Sequence, residues 1–498
     1  MNCYDFDKTI YKKDSAIELL KFAMKQKMSV FFYAFKIAFF AVLYFCKFIK
    51  IEKFKEVYFG FLKFFDDKNK LIEEFWVKEE KNINEWYIKQ MRDDDVICSA
   101  SPLILIDSIM HKINPNCHVF ATNLDIETMK IVGKNLKGEN KKVCLVEAGY
   151  EKFDSAYSDS LSDFPLYDMA ENKYFVVGEN VYEFGKQKLP IHKKFRYIIK
   201  ELRVKHYIKN GLLFLPLIFS GLLFATGGKY FLDCIFGFIA FSGVASIIYL
   251  INDFVDVQKD RKHLKKRKRP YAAFMLNKFD MISMFMALLA VVFVVWFYCL
   301  NKNIVALCVL FGYLVMNLLY SFWLKNLPVI DIFILAACYV VRVYFGAVII
   351  DVGVSKWLYL TIICASLYLG LGKRRGDFVQ DSKSETRKVN KKYSYEFLDK
   401  NMSMCLTMCV IFYALWIVEY RVSSISHINS ILFLASIPLV IFILMKYSLN
   451  IEKDKNSGDP IEVFLSDFVL IFAVLAFVVV LTLAIYIPIP EVIKGVLW

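Results

Sequence analysis

Charge is scarce in this chain. Asp, Glu, Lys and Arg make up 22% of its 498 residues, against 57% hydrophobic and 17% aromatic residues. Mean hydropathy is +0.43, whereas an ordinary globular chain is about 25% charged and roughly 45–50% apolar. So little charge on so apolar a chain excludes intrinsic disorder. The twelve Cys show no short paired spacing of the metal-binding kind. They read as reduced thiols facing cytosol or lipid, which excludes a disulfide-rich secreted domain; Cys405 and Cys409, one turn apart, read as packing. The opening Met1-Asn2-Cys3-Tyr4-Asp5-Phe6-Asp7 carries two acids where a secretory signal would be basic and then apolar. What is abundant is Phe (47) and Tyr (29), with a net charge of +14. That many rings cannot all sit in soluble cores, so much of the chain is expected to face lipid. The basic clusters abut apolar segments, so membrane topology, not nucleic acid, explains the positive balance.

Composition changes near residue 195. Before it, Val96-Ile97-Cys98, Val119-Phe120-Ala121, Val143-Cys144-Leu145 and Phe175-Val176-Val177 read as short buried parallel strands of an α/β domain. After it come nine apolar stretches, at about 207–225, 230–251, 279–300, 303–323, 327–350, 356–372, 402–420, 427–447 and 466–487, most near bilayer-spanning length. The loops at 252–278 and 373–400 hold nine Lys or Arg each, while the alternate loops carry about one each: Lys229, Lys302, Lys356 and Arg421. By the positive-inside rule the basic loops and the N-terminal half are cytoplasmic, and nine spans leave Trp498 on the far side. The division expected is residues 1–185, a Lys-rich linker at 186–205 along the anionic surface, and 206–498 in the membrane. Val30–Ile49 is apolar enough to suggest a span, but Lys36 and Lys47 interrupt it. A single span there would also split the soluble motifs across the membrane. It reads instead as part of an aromatic helical cap, about 15–90, lying against or dipping into the bilayer.

The N-terminal half carries four ordered motifs. Asp5-Phe6-Asp7-Lys8-Thr9 places two carboxylates two apart at a strand end, so that one attacks phosphorus and the other handles the leaving-group and water protons. Ser99 is suited to bond a phosphoryl oxygen. A lysine after Gly138 is suited to neutralise the nucleophile; Lys142 is an alternative, but the Gly-x-x-Lys spacing favours Lys141. Asp159 and Asp163 are suited to hold and orient Mg²⁺. This order resembles the haloacid dehalogenase superfamily of phosphatases, in the branch with a helical cap between the first two motifs. The resemblance implies a Rossmann-like fold, Asp5 as nucleophile, Asp7 as general acid/base, and Mg²⁺ on Asp5, the Asp7 carbonyl and Asp159. Ser101 reads as structural.

In the second half, Asn252-Asp253 opens a stretch in which Asp253, Asp256 and Asp260 are spaced to share one helix face. Three such carboxylates at a span end need a counter-ion, and Mg²⁺ bridging a diphosphate supplies one; Lys266 and Arg269 add charge for phosphate oxygens. The motif resembles the UbiA-type intramembrane prenyltransferases, an all-α fold whose familiar members carry a second acid-rich motif. Here that motif is lacking. Tyr320, Lys325, Asp331, Arg342, Lys373 and Arg374 stand in its place, a largely cationic set that suits a second, anionic substrate. This departure resembles the decaprenyl-phosphate phosphoribosyltransferases, as do Arg203, Tyr207-Ile208-Lys209-Asn210 (with Lys209 and Asn210 as substrate contacts), His263–Pro270 and Gly458-Asp459-Pro460.

Together the resemblances imply a bifunctional bacterial inner-membrane enzyme with both sites cytoplasmic and Mg²⁺ in both. One half would join phosphoribosyl pyrophosphate to polyprenyl phosphate. The other would remove the 5-phosphate, giving a precursor of cell-envelope pentose. Two other readings stay open: a prenyl diphosphate donor with an aromatic acceptor, and a transporter with a phosphatase-like sensor. An oligomer is compatible with the sequence.

Overall fold

The structure is a computed structural model. It describes residues 1–45, 48–264, 266–381, 392–423, 430–453, 463–464 and 467–486. Lys47, Lys265, Gly458-Asp459-Pro460 and Trp498, used above, lie outside the described residues. The chain forms two compact units: Met1–Glu201 with Val255–Lys278, and Leu202–Phe254 with Phe279–Trp498. The loop between the second and third apolar stretches therefore belongs to the N-terminal unit.

In that unit β1 (Asn2–Tyr4), β2 (Val96–Pro102), β3 (His118–Thr122), β4 (Phe153–Ser158), β5 (Ala170–Val177) and β6 (Asn180–Glu183) form one sheet. Its order is β3-β2-β1-β4-β5-β6. All pairs are parallel except the terminal β5–β6 hairpin. Three of the four strands expected from sequence are present. Val143-Cys144-Leu145 instead lies in a helix, Glu139–Glu147. Its Lys141 and Leu145 are buried one turn apart on a single face. Gly138 opens this helix at φ +62°, a conformation open to glycine and strained for other residues.

The cap inserted between β1 and β2 consists of α1 (Ser15–Gln26), α2 (Met28–Phe45), α3 (Ile51–Phe59), α4 (Lys68–Glu79) and α5 (Glu85–Gln90). Asp14 and Asp67 cap α1 and α4, accepting from the Ile17 and Lys70 amides. The cap packs on the sheet through Phe6, Tyr11 and Trp76, and Trp76 Nε1 donates to the Leu105 carbonyl at 2.7 Å. The unit continues with α6 (Leu103–Ile113), α7 (Glu139–Glu147), α8 (Phe164–Tyr167) and α9 (Ile191–Glu201).

The second unit is helical: α10 (Leu215–Phe219), α11 (Lys229–Val255), then, after α12 (Val257–Lys262) of the first unit, α13 (Lys278–Val294), α14 (Ile304–Phe322), α15 (Ile330–Ile349), α16 (Lys356–Asp381), α17 (Tyr395–Ser423), α18 (Ser430–Lys453) and α19 (Phe468–Tyr486). Among the described residues eight helices are long and apolar enough to cross a membrane, and α2 is one of them. The count of nine spans is not reproduced. The expected first span, 207–225, is a 3-10 segment (Val204–Phe214) followed by the five-residue α10, with Gly211, Pro216 and Gly221 interrupting it. The stretch at 356–372 lies within α16, which is not among the eight.

Small residues on α11 (Gly237, Ala240, Ser242, Gly243, Ala245 and Ser246) are buried and allow close helix packing. The tightest approach is at Gly346 of α15, where an added Cβ would stand 2.0 Å from the Leu213 carbonyl oxygen. Since backbone cannot yield as a side chain can, Gly346→Val should destabilise the unit by about 1–3 kcal/mol. Gly312→Ala, at a position with nothing within 4 Å of the added carbon, should be neutral. Thermal unfolding of the detergent-solubilised protein, followed by Trp fluorescence, compares the two.

Candidate active sites

In the N-terminal unit the four motifs meet at the carboxyl ends of the parallel strands, where open α/β sheets bind ligands. Asp5 follows β1 and its amide donates to the Tyr157 carbonyl of β4 at 2.9 Å. Lys141, on α7, is buried. Its Nζ donates to Asp5 Oδ1 at 2.7 Å and to Asp163 Oδ2 at 3.1 Å, and Ser158 Oγ donates to the same Asp163 oxygen at 2.7 Å. Of the two lysines weighed, Lys141 is the one placed against Asp5. Asp7 accepts from the Ser15 amide at 2.7 Å and from the Ser101 hydroxyl. The Ser101 amide in turn donates to Ser99 Oγ at 3.1 Å. Ser101 therefore positions the second acid, and Ser15 joins it; both contacts were invisible in the sequence because they cross between elements.

The electrostatics follow from burial. Burial raises the Asp5 carboxyl well above its usual range, opposed by Lys141 and reinforced by Asp163 and Asp159. Burial, then the Asp14 charge, raises Asp7, which suits a group that carries a proton to a leaving oxygen. Asp159 is pushed up to about 6, chiefly by burial, with Asp163 adding repulsion. Burial pulls the Lys141 ammonium down, but Asp163 and Asp5 outweigh it and hold it above its ordinary value. Three carboxylates thus face one ammonium, a balance that favours a further cation. Among the described residues no three acid, His or Cys side chains are assembled to hold a metal by themselves. Asp5 and Asp159 supplemented by the Asp7 carbonyl and water fit Mg²⁺, which keeps several waters and needs only one or two carboxylates.

The cap contributes a residue that the sequence did not single out. Lys55 of α3 donates from Nζ to the Ala100 carbonyl and to Asn135 Oδ1, both at 2.6 Å. Two of its three N–H groups are thus fixed beside the Ser99–Ser101 segment. Burial, then the positive charge of Lys137, lowers its ammonium to about 8.

In the membrane unit Asp253, near the end of α11, is buried, and Arg203 Nη2 lies 2.7 Å from both its oxygens. Arg203, at φ +54°, also stacks its guanidinium 4.3 Å over the Tyr249 ring. Asn252 is half-buried beside Asp253. The acid triad does not lie on one continuous helix: α11 ends at Val255, Asp256 caps α12, and Asp260 lies within α12. There Asp256 pairs with Lys259 at 3.3 Å, and Asp260 pairs with Arg269 at 2.5 Å and Lys266 at 3.8 Å.

Two buried arginines of the membrane unit differ. Arg342 of α15 donates to Asn210 Oδ1 and Tyr313 Oη, both at 2.8 Å, and to the Cys338 carbonyl. Among the described residues all these partners are neutral. Arg374 of α16 instead forms an ion pair with buried Asp331 at 2.5 Å and with Asp377 at 3.1 Å, and donates to Tyr320 Oη at 2.9 Å. Tyr393 Oη completes the shell, donating to Asp331 at 2.5 Å. Arg374 thus links Asp331 and Tyr320. Lys325 is half-buried in the 3-10 turn Leu324–Asn326.

The position of Lys55 has a measurable consequence. Phosphatase kcat/KM should fall as pH rises through about 8, because the ammonium loses its proton there. Lys55→Met should lower kcat/KM about tenfold at pH 7, the scale of one charge-assisted hydrogen bond, and Lys55→Arg should move the alkaline limb upward. Steady-state hydrolysis of a generic phosphomonoester across pH checks all three.

Comparison with known proteins agrees with both halves. Residues 3–168 match the haloacid dehalogenase-like hydrolase family and residues 213–468 the UbiA prenyltransferase family. Decaprenyl-phosphate phosphoribosyltransferase of Corynebacterium glutamicum is 31% identical over 292 residues, covering 58% of this chain and 87% of that one. The protein of the same name from Mycolicibacterium smegmatis is 31% identical over 303 residues, covering 58% and 92%. A solved UbiA homologue from Archaeoglobus fulgidus, bound to GPP and Mg²⁺, is 18% identical with a TM-score of 0.43, covering 58% of this chain and 99% of that one. The chain is a multi-pass membrane protein of the UbiA prenyltransferase family, with a haloacid dehalogenase-like hydrolase domain at its N-terminus.

Proposed function

We propose that the membrane unit transfers 5-phosphoribose from phosphoribosyl pyrophosphate to a polyprenyl phosphate, and that the N-terminal unit then removes the 5-phosphate. The observation that carries this is the intact Asp5–Asp7–Lys141 constellation in a chain whose membrane half resembles proteins named decaprenyl-phosphate phosphoribosyltransferase. In the transfer, a lipid-phosphate oxygen attacks C1 of the ribose and pyrophosphate leaves. Arg342, whose partners are neutral, keeps its full charge for an anionic acceptor, and Lys209 and Lys373 would add to it. The acid motif at 252–260, with Lys266 and Arg269, would hold the donor diphosphate. Mg²⁺ would neutralise developing phosphate charge in both halves. Arg374 takes no part in acceptor binding in this reading, because Asp331 and Asp377 already neutralise it.

In the hydrolysis, Lys141 holds Asp5 Oδ1 so that the other oxygen attacks phosphorus. Asp7 protonates the departing ribose oxygen, then takes a proton from the water that releases phosphate from Asp5. Ser101 can turn its hydroxyl to accept from Asp7 when that carboxyl is protonated. The product is polyprenyl-phosphoryl ribose, made on the cytoplasmic side of the membrane, as the loop charges suggest.

Mass spectrometry of lipids made by purified full-length protein from phosphoribosyl pyrophosphate and polyprenyl phosphate tests the pair of reactions. Wild type should give polyprenyl-phosphoryl ribose, and Asp5→Asn should accumulate the form carrying one more phosphate. No lipid product from wild type would refute the transfer.

A lipid-borne substrate also gives α2 a role. Val30 and Ile37 face the cap, while Phe32 (64%), Phe35 (66%) and Phe39 (61%) are exposed on the opposite side. We read this face as lying in the bilayer interface. A Phe35→Trp variant in nanodiscs should show emission quenched by lipids brominated near the headgroup; unquenched, water-like emission would rule this out.

A further inference from the structure

The segment Val255–Lys278 joins two membrane helices, yet it belongs to the phosphatase unit. The contacts are specific. Arg267 forks onto Asp168, with Nη1–Oδ1 and Nη2–Oδ2 both at 2.6 Å, and its guanidinium lies 4.9 Å from the Phe164 ring. Ala273 and Met275 are buried in one apolar cluster with Leu161, Phe164 and Tyr167. Gln187 Nε2 donates to the Ala273 and Phe274 carbonyls at 3.3 and 3.1 Å. Phe274 itself has φ +62°, a left-handed conformation that costs a bulky residue energy and persists only where surroundings fix it. Here the Arg261 guanidinium lies 3.9 Å over its ring, and Arg261 Nε donates to the Ala272 carbonyl at 3.2 Å.

The two ends of this packing carry different chemistry. Leu161 and Phe164 flank Asp163 and follow Asp159, so the cluster buttresses the phosphatase acid loop. On the other side, the same segment carries Asp256 and Asp260, with Arg269 and Lys266 on Asp260. A polar loop between membrane spans would need no bidentate arginine and no buried apolar pair if it simply lay in solvent.

We infer that the phosphatase fold acts as a clamp that positions the transferase's donor loop, with Arg267 and Asp168 as the latch. Neither residue touches substrate; both are positioning residues. The inference rests on the donor reading above for its kinetic consequence, but the clamp can be tested without it.

The test uses full-length protein in nanodiscs. Asp168→Asn and Arg267→Gln should each raise KM for phosphoribosyl pyrophosphate at least fivefold while kcat stays within twofold. The charge exchange, Asp168→Arg with Arg267→Asp, should recover most of the loss. Arg267→Lys, which keeps the charge but not the fork, should lie between. Limited trypsin digestion reads the clamp directly: cleavage in the Lys/Arg-rich 259–269 stretch should speed up at least fivefold in the single variants and slow again in the exchange. Unchanged cleavage in the single variants would overturn the clamp whatever the donor is. So would a loss of kcat and unfolding temperature together without recovery in the exchange, since that is general destabilisation. Altered cleavage together with no turnover of phosphoribosyl pyrophosphate by wild type would retain the clamp and overturn the donor reading.

Discussion

A buried ammonium has to be neutralised where it stands, and much of the phosphatase half is arranged around that requirement at Lys141. Removing one member of such a pair leaves an uncompensated charge and typically costs about 3–5 kcal/mol. The partners of Lys141 come from two strand ends, Asp5 after β1 and Asp163 after β4, while Lys141 itself rides on α7. One ion cluster therefore fixes the mutual placement of three chain segments that are distant in sequence. Ser158 extends the cluster to the acid loop, while Ser101 and Ser15 hold Asp7 separately. With three carboxylates against one lysine, the cluster fixes the geometry yet remains electrically incomplete, and that residual charge distinguishes a reactive site from a structural salt bridge.

The membrane half applies the same rule in two ways. A charge within a span must face a partner or a polar cavity. Arg374 meets two carboxylates, so that its charge is matched and α16 is tied to α15 through Asp331. Arg342 is fixed just as firmly, but by an amide oxygen, a phenol and a backbone carbonyl. Hydrogen bonds of this kind orient a guanidinium without neutralising it. Two arginines that look equivalent in sequence, both at the missing second acid motif, are thus separated by their partners, one held by carboxylates and the other by neutral groups.

What was legible in the sequence was local or periodic. Asp5 and Asp7 announce themselves by spacing, and Lys141 by its distance from Gly138. Val143–Leu145 misled because a three-residue apolar run looks alike in a strand and on a helix face; only the burial of Lys141 with Leu145 reveals the period. The 207–225 stretch misled because composition counts apolar residues but not the backbone breaks at Gly211, Pro216 and Gly221. Lys55, Ser15 and Arg203 were hidden for another reason. Each acts through a partner between eight and eighty residues away, and no local pattern encodes such a pairing.

The fusion itself constrains the chemistry. If the lipid made in one half is the substrate of the other, its phosphate must reach Asp5 while its chain stays in the bilayer. A phosphatase free in solution would have to find that phosphate by collision; one tethered in the same chain meets it at an effective concentration of roughly millimolar. Tethering alone does not set orientation, however. Two features of the N-terminal unit can: the Phe-lined face of α2, which favours one way up at an interface, and the inter-span loop packed beside the Asp159–Asp163 segment. The first would favour one orientation at a membrane, and the second ties the inter-span loop to the acid loop of its own unit. A linker needs neither, whereas a phosphatase that works on a membrane-bound phosphate gains from both.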